Sequence, residues 1–209
     1  MATDLNNKIK GTKSQKIRKI SVLLKYIIDT IDNDQDIKRL MNYLTLTPTS
    51  SKGMGYDGKV INQPDLTHSL LKDYVVNGVV VHEKNLFDSS FSSDIETLTK
   101  NQIFVHSTRS RINERNNSQR IEFYINIIIS QKYENLKNYG AKRTYEIAGR
   151  IADLLDNVTI ENTEIVDIVG NVKTVIDGDI TTMRLSKTND SILLSLPIVV
   201  DCMAFRTGV

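Results

Sequence analysis

One cysteine, three prolines and no tryptophan occur in 209 residues. The lone Cys202 excludes an internal disulfide, and among Ile198, Val199, Val200 and Met203 it reads as a small core residue rather than a nucleophile. The histidines His68, His82 and His106 stand in no His-Glu-x-x-His pattern, and none has a cysteine at ligand spacing, which argues against a zinc site. No apolar run is long enough to span a bilayer, and no hydrophobic signal core follows Met1. The expectation is a soluble chain made in the cytoplasm, without a membrane partner. No Gly-x-Ser-x-Gly elbow is found. Gly53-Met-Gly-Tyr-Asp-Gly58 lacks the Lys-Ser/Thr ending and the preceding strand of a phosphate loop. Asp29, Asp32, Asp34 and Asp36 lack the calcium-loop pattern and read as caps and solvated turn residues. Asn-x-Ser/Thr matches at Asn116, Asn157 and Asn189 carry no meaning without a secretion signal. These absences lead to the expectation of a non-enzymatic protein with no cofactor and no metal.

Charge of one sign is also scarce. Lys and Arg number 27 against 25 Asp and Glu, a net +2, too even for a dedicated nucleic-acid binder. The distribution is less even: Lys8, Lys10, Lys13, Lys16, Arg18 and Lys19 crowd the amino terminus. They read as a solvated arm leading into a helix, with a contact to phosphates or to an acidic partner as the alternative. A second basic group, Arg109, Arg111 and Arg115, falls in the polar stretch Thr108 to Gln119. That stretch reads as a loop joining two strands, and the three arginines are a candidate nucleic-acid or partner contact.

What is present is periodicity. Ile17, Ile20, Leu24, Ile27, Ile28 and Ile31 recur at helical spacing and predict an amphipathic helix from about Gln15 to Asp32. After a break at Asn33 and Asp34, Ile37, Leu40, Met41 and Leu44 predict a second helix to about Thr45, the two forming a helical hairpin. Thr47 to Thr67, punctuated by prolines and glycines, reads as a long loop, followed by a helical turn near Leu66 to Leu71. Tyr74 to Val81 is an apolar β-branched run broken by Asn77-Gly78, a two-residue hairpin signal. Leu86 to Asn101 is serine-rich and weakly patterned, and Ile103 to Val105 is a short strand.

The clearest signal begins at Arg120. Ile121, Phe123, Ile125, Ile127 and Ile129 alternate with Arg120, Glu122, Tyr124, Asn126 and Ser130, so one face is apolar and the other largely polar. Ala141 to Asp156 predicts a helix with a stripe of Ile147, Ala148, Ile151, Ala152, Leu154 and Leu155. Gly149 would cost ~1 kcal/mol against Ala there, for which close packing on a sheet is a reason. Lys142 and Arg143 in the first turn, and Asp153 and Asp156 in the last, run against the helix dipole, a modest cost that a partner subunit could offset and that is equally tolerable unrelieved. Glu164 to Val169 and Val172 to Ile176 read as strands, Asp177-Gly178 as a hairpin turn, and Ile180 to Leu185 as the returning strand. Asn189-Asp190 marks a further turn. Ile192 to Phe205 is a last strand, placed at an edge or bulged because Pro197 cannot donate to a ladder. The reading is an α+β fold: a basic arm and helical hairpin (1–46), a loop-rich segment with short strands (47–118), and an α+β core (119–209) in strand–helix–hairpin–strand order.

That order resembles the tail-terminator (tail-completion, neck) proteins of long-tailed bacteriophages. The likeness runs from Ile121-Glu-Phe-Tyr-Ile-Asn-Ile-Ile-Ile, through Arg143-Thr-Tyr-Glu-Ile-Ala-Gly-Arg-Ile-Ala-Asp-Leu-Leu, to Pro197-Ile-Val-Val-Asp-Cys. Leu24-Lys-Tyr-Ile-Ile-Asp and Ile37-Lys-Arg-Leu-Met-Asn-Tyr-Leu are similar to the opening helices of some phage neck and tail proteins. The resemblance implies a virion protein forming a homo-oligomeric ring, commonly a hexamer, that caps the tail tube, stops its polymerisation and meets the head-side connector. Genomic DNA would pass through the lumen without sequence recognition. The candidate assembly-interface residues are Lys142, Arg143, Asp153, Asp156 and Pro197. The competing readings are another neck or head-completion subunit and a small nucleic-acid-binding module.

Overall fold

Burial of an apolar stripe decides where the first helix lies. The computed structural model describes residues 13–89, 101–113, 118–137, 140–161, 172–185 and 191–202. Helix α1 (Lys13–Asn33) buries Leu23, Ile27, Ile28 and Ile31, while Ile17, expected in the stripe, is exposed. One residue, Asp34, separates α1 from α2 (Gln35–Asn42). Its carboxylate accepts the Ile37 N–H at 2.9 Å and caps α2. Its other oxygen takes Arg150 Nε and Nη2 at 2.9 and 2.7 Å. Asp32 accepts the Leu70 N–H, while Asp29 pairs with Lys25 within α1 and Asp36 lies near Arg150.

The stretch read as a long loop contains a small two-stranded sheet, β1 (Lys52–Met54) with β2 (Val60–Asn62). Its organiser is the buried Gln63. With its amide oriented so that both ends are satisfied, the nitrogen donates to the Thr47 and Ser50 carbonyls and the oxygen accepts from Thr45 Oγ1. Gly53 is required beside it, since a Cβ there would meet the Gln63 amide at 2.2 Å. The expected helical turn near Leu66 to Leu71 is only a hydrogen-bonded turn at Leu70 and Leu71.

Next come β3 (Tyr74–Val76), β4 (Val79–His82), β5 (Leu86–Phe87), β6 (Gln102–Asn113), β7 (Ser118–Ser130), α3 (Arg143–Leu155), β8 (Val158–Thr159), β9 (Val172–Ile176), β10 (Thr181–Arg184) and β11 (Ser191–Cys202). Among the described residues the main sheet runs β5-β6-β7-β11-β9-β8, with β10 also on β11, and only the β5–β6 pair is parallel. The register carries the period-two pattern across the sheet: Ile125 stands opposite Val105 and Leu196, and Phe123 opposite Ile198. Ile121, Phe123, Ile125, Ile127 and Ile129 thus share one core face with Leu194, Leu196, Ile198, Val200 and Cys202. Leu23 and Ile27 of α1, and Ile147, Ile151 and Leu155 of α3, belong to the same core. A smaller cluster of Phe104, Ile128 and Leu193 packs on the other face.

Three sequence expectations are corrected here. Thr108 to Gln119 is no loop between strands: β6 runs to Asn113 and β7 begins at Ser118. Ser107 to Arg111 are exposed on both sides, so burial left no alternation to read, and ladder bonds to β7 hold the segment. Asp177-Gly178 does not turn β9 back on itself. β9 pairs with Ile198–Cys202 and β10 with Ile192–Ser195, both antiparallel to β11 and therefore in line with each other. Pro197 is consequently not at an edge but buried in the sheet's centre. The Leu185 N–H donates to the Ser191 carbonyl at 3.0 Å, and the alternation this sets turns the Pro197 nitrogen toward the break at 177–180. No partner strand stands there, so the missing donor costs no ladder bond. Gly178 (φ 132°) leaves room for the ring, as a Cβ would sit 3.1 Å from Pro197 Cγ.

Gly149 also departs from expectation. A Cβ there meets nothing within 4 Å, so no close packing explains it. Gly149→Ala should therefore stabilise the fold by about 0.5–1 kcal/mol through helix propensity, seen as a higher midpoint in urea with unchanged slope. The basic arm before residue 13, the strand expected at 164–169, the turn at 189–190, Arg115 and most of the serine-rich stretch lie outside the described residues.

Candidate assembly surface and its buried buttress

The Asn77-Gly78 signal forms the turn it predicts. Both residues have positive φ, 52° and 78°, as a two-residue hairpin requires, and Tyr74–Val76 pairs antiparallel with Val79–His82. A strand half-buried on a core alternates apolar and polar residues, whereas this ribbon is apolar at nearly every position. Yet it is exposed: Val79 by 65%, Val75 and Val81 by 51% each. Apolar surface open on both faces of a ribbon is what a protein contact site offers. The run of valines without a polar face was the signal available in sequence; its exposure was not.

The ribbon is held at its base by rings. His68 stacks on Tyr74 at 4.5 Å and on His82 at 4.8 Å, and Tyr43 meets His82 edge-on at 6.4 Å. Asp73 accepts the Lys84 N–H at 2.6 Å and closes the neck. Beside the base lies a cavity of about 220 Å³ between Met41, Asn42, Val81, His82 and Tyr133. Burial lowers the pKa of both histidines below 6.5; for His68 the neighbouring His82 and Lys38 charges act the same way and Asp32 opposes them. A base whose folded pKa is depressed takes up protons more readily when unfolded. Its contribution is fully present above pH 6.5 and is lost as pH falls below it. Thermal midpoints should accordingly drop between neutral and mildly acidic pH. In His68→Phe the drop should be shallower, because the ring stack survives and the buried His68 Nε2 has no hydrogen-bond partner to lose.

A buried arginine holds the chain around Tyr43, whose ring meets His82 at the ribbon's base. Arg143 is 0% exposed. It donates from Nη1 to the Leu40 and Tyr43 carbonyls, from Nη2 to the Thr45 carbonyl at 2.7 Å, and from Nε to the Tyr133 carbonyl at 2.8 Å. The carbonyls at the end of a helix have no partners of their own, and Arg143 supplies them for α2 and the chain that follows. Glu134, also buried, accepts from the Thr144 N–H and hydroxyl and so caps α3, a task Lys142 leaves undone. Burial raises the Glu134 pKa and lowers that of Arg143.

The sequence-derived contact residues therefore divide. Of the residues read as interface candidates, Arg143 and Pro197 are buried within the subunit. Lys142 is half-buried and bonds Asn135. Asp156 accepts the Ile176 N–H at 2.9 Å, an intramolecular role for a charge that opposes the helix dipole. Asp153 is exposed. Arg109 and Arg111 are exposed on β6, facing Glu122 and Arg120 across the ladder. Arg120 is paired with Asp177. Glu134, His68 and His82 were not found from sequence, since their partners lie on other elements.

Among the described residues no three His, Cys, Asp or Glu are grouped to hold a metal ion, and no helix is long and apolar enough to cross a membrane. No curated protein matches the chain. Among solved structures, a chain from "Virion of native gene transfer agent (GTA) particle" is similar at 9% identity and a TM-score of 0.33, over 56% of this chain and 78% of that one. A likeness that distant carries no argument. The YomW family profile matches residues 34–179, spanning α2, the ribbon, β6, β7, α3 and β9. The chain belongs to the YomW family.

Proposed function

We propose that this chain is a structural virion protein of a tailed phage, a ring subunit that caps the tail tube, stops its polymerisation and joins the tail to the head. The observation that carries the proposal is the ribbon Tyr74–His82, apolar and exposed on both faces, with no covering element among the described residues. Such a surface is a cost in an isolated chain and a gain once a partner covers it. Two features support the reading: membership of a phage-associated family, and the succession of β7, α3 and β9–β11, in which the resemblance to tail terminators resides. The work is binding, not bond chemistry. The ribbon seats on the open end of the tube, the opposite side of the ring meets the head-side connector, and DNA passes through the lumen. Deletion of the gene from a phage that carries it is the test. Overlong tails that fail to join heads are expected. Tails of normal length on filled heads would refute the proposal, and normal tails beside leaking heads would assign the chain to head completion instead.

A further inference from the structure

The cavity beside the ribbon has a wall that hydrogen bonding fixes in one orientation. Asn85 lines it and is buried, 6% exposed. Its backbone is held on both sides. The N–H donates to the Leu70 carbonyl at 3.0 Å, and the carbonyl accepts the Ile103 N–H at 2.8 Å. Its side-chain amide is set by a relay from α2. The Lys38 carbonyl can only accept, so Asn42 Nδ2 donates to it at 2.9 Å. Asn42 Oδ1 is thereby an acceptor, and Asn85 Nδ2 donates to it at 3.2 Å. What remains is Asn85 Oδ1, a buried acceptor without a partner. Among the described residues it is the one such side-chain atom belonging to the lining. A buried acceptor left empty is a standing cost that a donor removes.

We propose that the cavity takes the indole of a tryptophan supplied by a partner protein docked along the ribbon, its N–H donated to Asn85 Oδ1. This rests on the reading of the ribbon as a contact surface and names what the partner must bring. Apolar walls come from Met41, Leu44 and Val81, and rings from His82 and Tyr133. Glu83 and Lys84 belong to the same lining with opposite charges, so it selects neither sign. Hydrogen-bond inventory then narrows the choice. Indole is neutral and donates without accepting, which matches one empty acceptor. A phenol or an amide brings acceptors of its own, and no orphaned buried donor of the lining answers them. Lysine and arginine bring a charge and several donors to a single acceptor. Size agrees: a cavity of about 150 Å³ accepts benzene, and about 220 Å³ leaves room for the larger indole. The chain itself contains no tryptophan. Neither a second copy nor another segment of this chain can therefore supply the group.

The same absence makes the test direct, because indole fluorescence then reports the ligand alone. N-acetyltryptophanamide titrated with the full chain should shift to shorter wavelength and saturate, with a Kd of about a millimolar. Its indole-N-methyl analogue lacks the N–H and should bind about fivefold more weakly. N-acetyltyrosinamide should compete less well than the tryptophan amide. Asn85→Leu should bring the tryptophan amide and its N-methyl analogue to equal affinity. A second measurement needs no variant: the Asn85 side-chain amide resonance of the parent chain should move with the tryptophan amide and not with the N-methyl analogue. The source of the indole is read with a benzoylphenylalanine photo-cross-linker in place of the exposed Leu44. Illumination in the producing cell should join the chain to a tryptophan-containing peptide of another protein. No saturable binding, equal affinity of the two tryptophan probes for the parent chain, or a cross-link only to second copies of this chain would overturn the proposal. Normal tails in a deletion phage would leave the indole result standing, and loss of indole binding would leave the ribbon to its own test, so the two failures are distinguishable.

Discussion

Arg143→Met should destabilise the subunit by about 3–5 kcal/mol, more than any surface substitution. Methionine fills a similar space without donors. The carbonyls of Leu40, Tyr43, Thr45 and Tyr133 then lose the guanidinium that satisfies them. Each buried acceptor left without a partner costs about 1–3 kcal/mol, partly relieved where the chain after α2 shifts toward water. Glu134, next to the lost cation, would also gain a further reason to be protonated. The measurement is urea unfolding followed by far-ultraviolet circular dichroism. Arg143→Lys should recover only part of the loss, because one ammonium cannot reproduce bonds that leave from three guanidinium nitrogens. A variant within 1 kcal/mol of the parent would show that the arginine is dispensable to the fold.

The second large effect falls on assembly and spares the fold. Val75→Lys with Val79→Lys changes two exposed positions of the ribbon. Each surface substitution should move stability by no more than about 0.5 kcal/mol. Burying the exposed parts of two valines against a partner contributes about 2–3.5 kcal/mol, and a lysine at each place adds the cost of drying a charge. Affinity for the partner should fall by on the order of a hundredfold or more. The readouts are tail length and head joining in phage carrying the double substitution, with the thermal midpoint of the purified protein as control. Normal assembly by a folded double variant would remove the ribbon from the contact.

Local pattern reports burial well and pairing poorly, which explains what could be read in advance. Ile121 to Ile129 alternate because one face meets the helices, and that strand was legible. Val172 to Ile176 and the Asn77-Gly78 turn were legible for the same local reasons. Ser107 to Asn113 belong to a strand nearly as long as its neighbour, but Ser107 to Arg111 are open on both faces, so no alternation marked them. Pro197 looked like an edge residue since the break opposite it is made by residues about twenty positions earlier. Arg143 looked like a surface charge set against a helix dipole. Its partners lie some hundred residues away, at the end of α2. The apolar ribbon was visible as a hairpin, while its isolation from the core depends on everything around it.

The place of β11 in the sheet sets a timetable for synthesis. β11 follows every other described element in chain order, yet it stands between β7 on one side and β9 with β10 on the other. Until residue 202 has cleared the ribosome, β7 lacks its main partner and the core lacks Leu194, Leu196, Ile198 and Val200. A nascent chain emerging at about 5–20 residues per second therefore holds its helices and the β6–β7 pair open for seconds. The edge of β10 takes its final position only when β11 docks. Copies whose β11 has not yet emerged thus carry an unfinished core, and the sheet closes only once that strand docks.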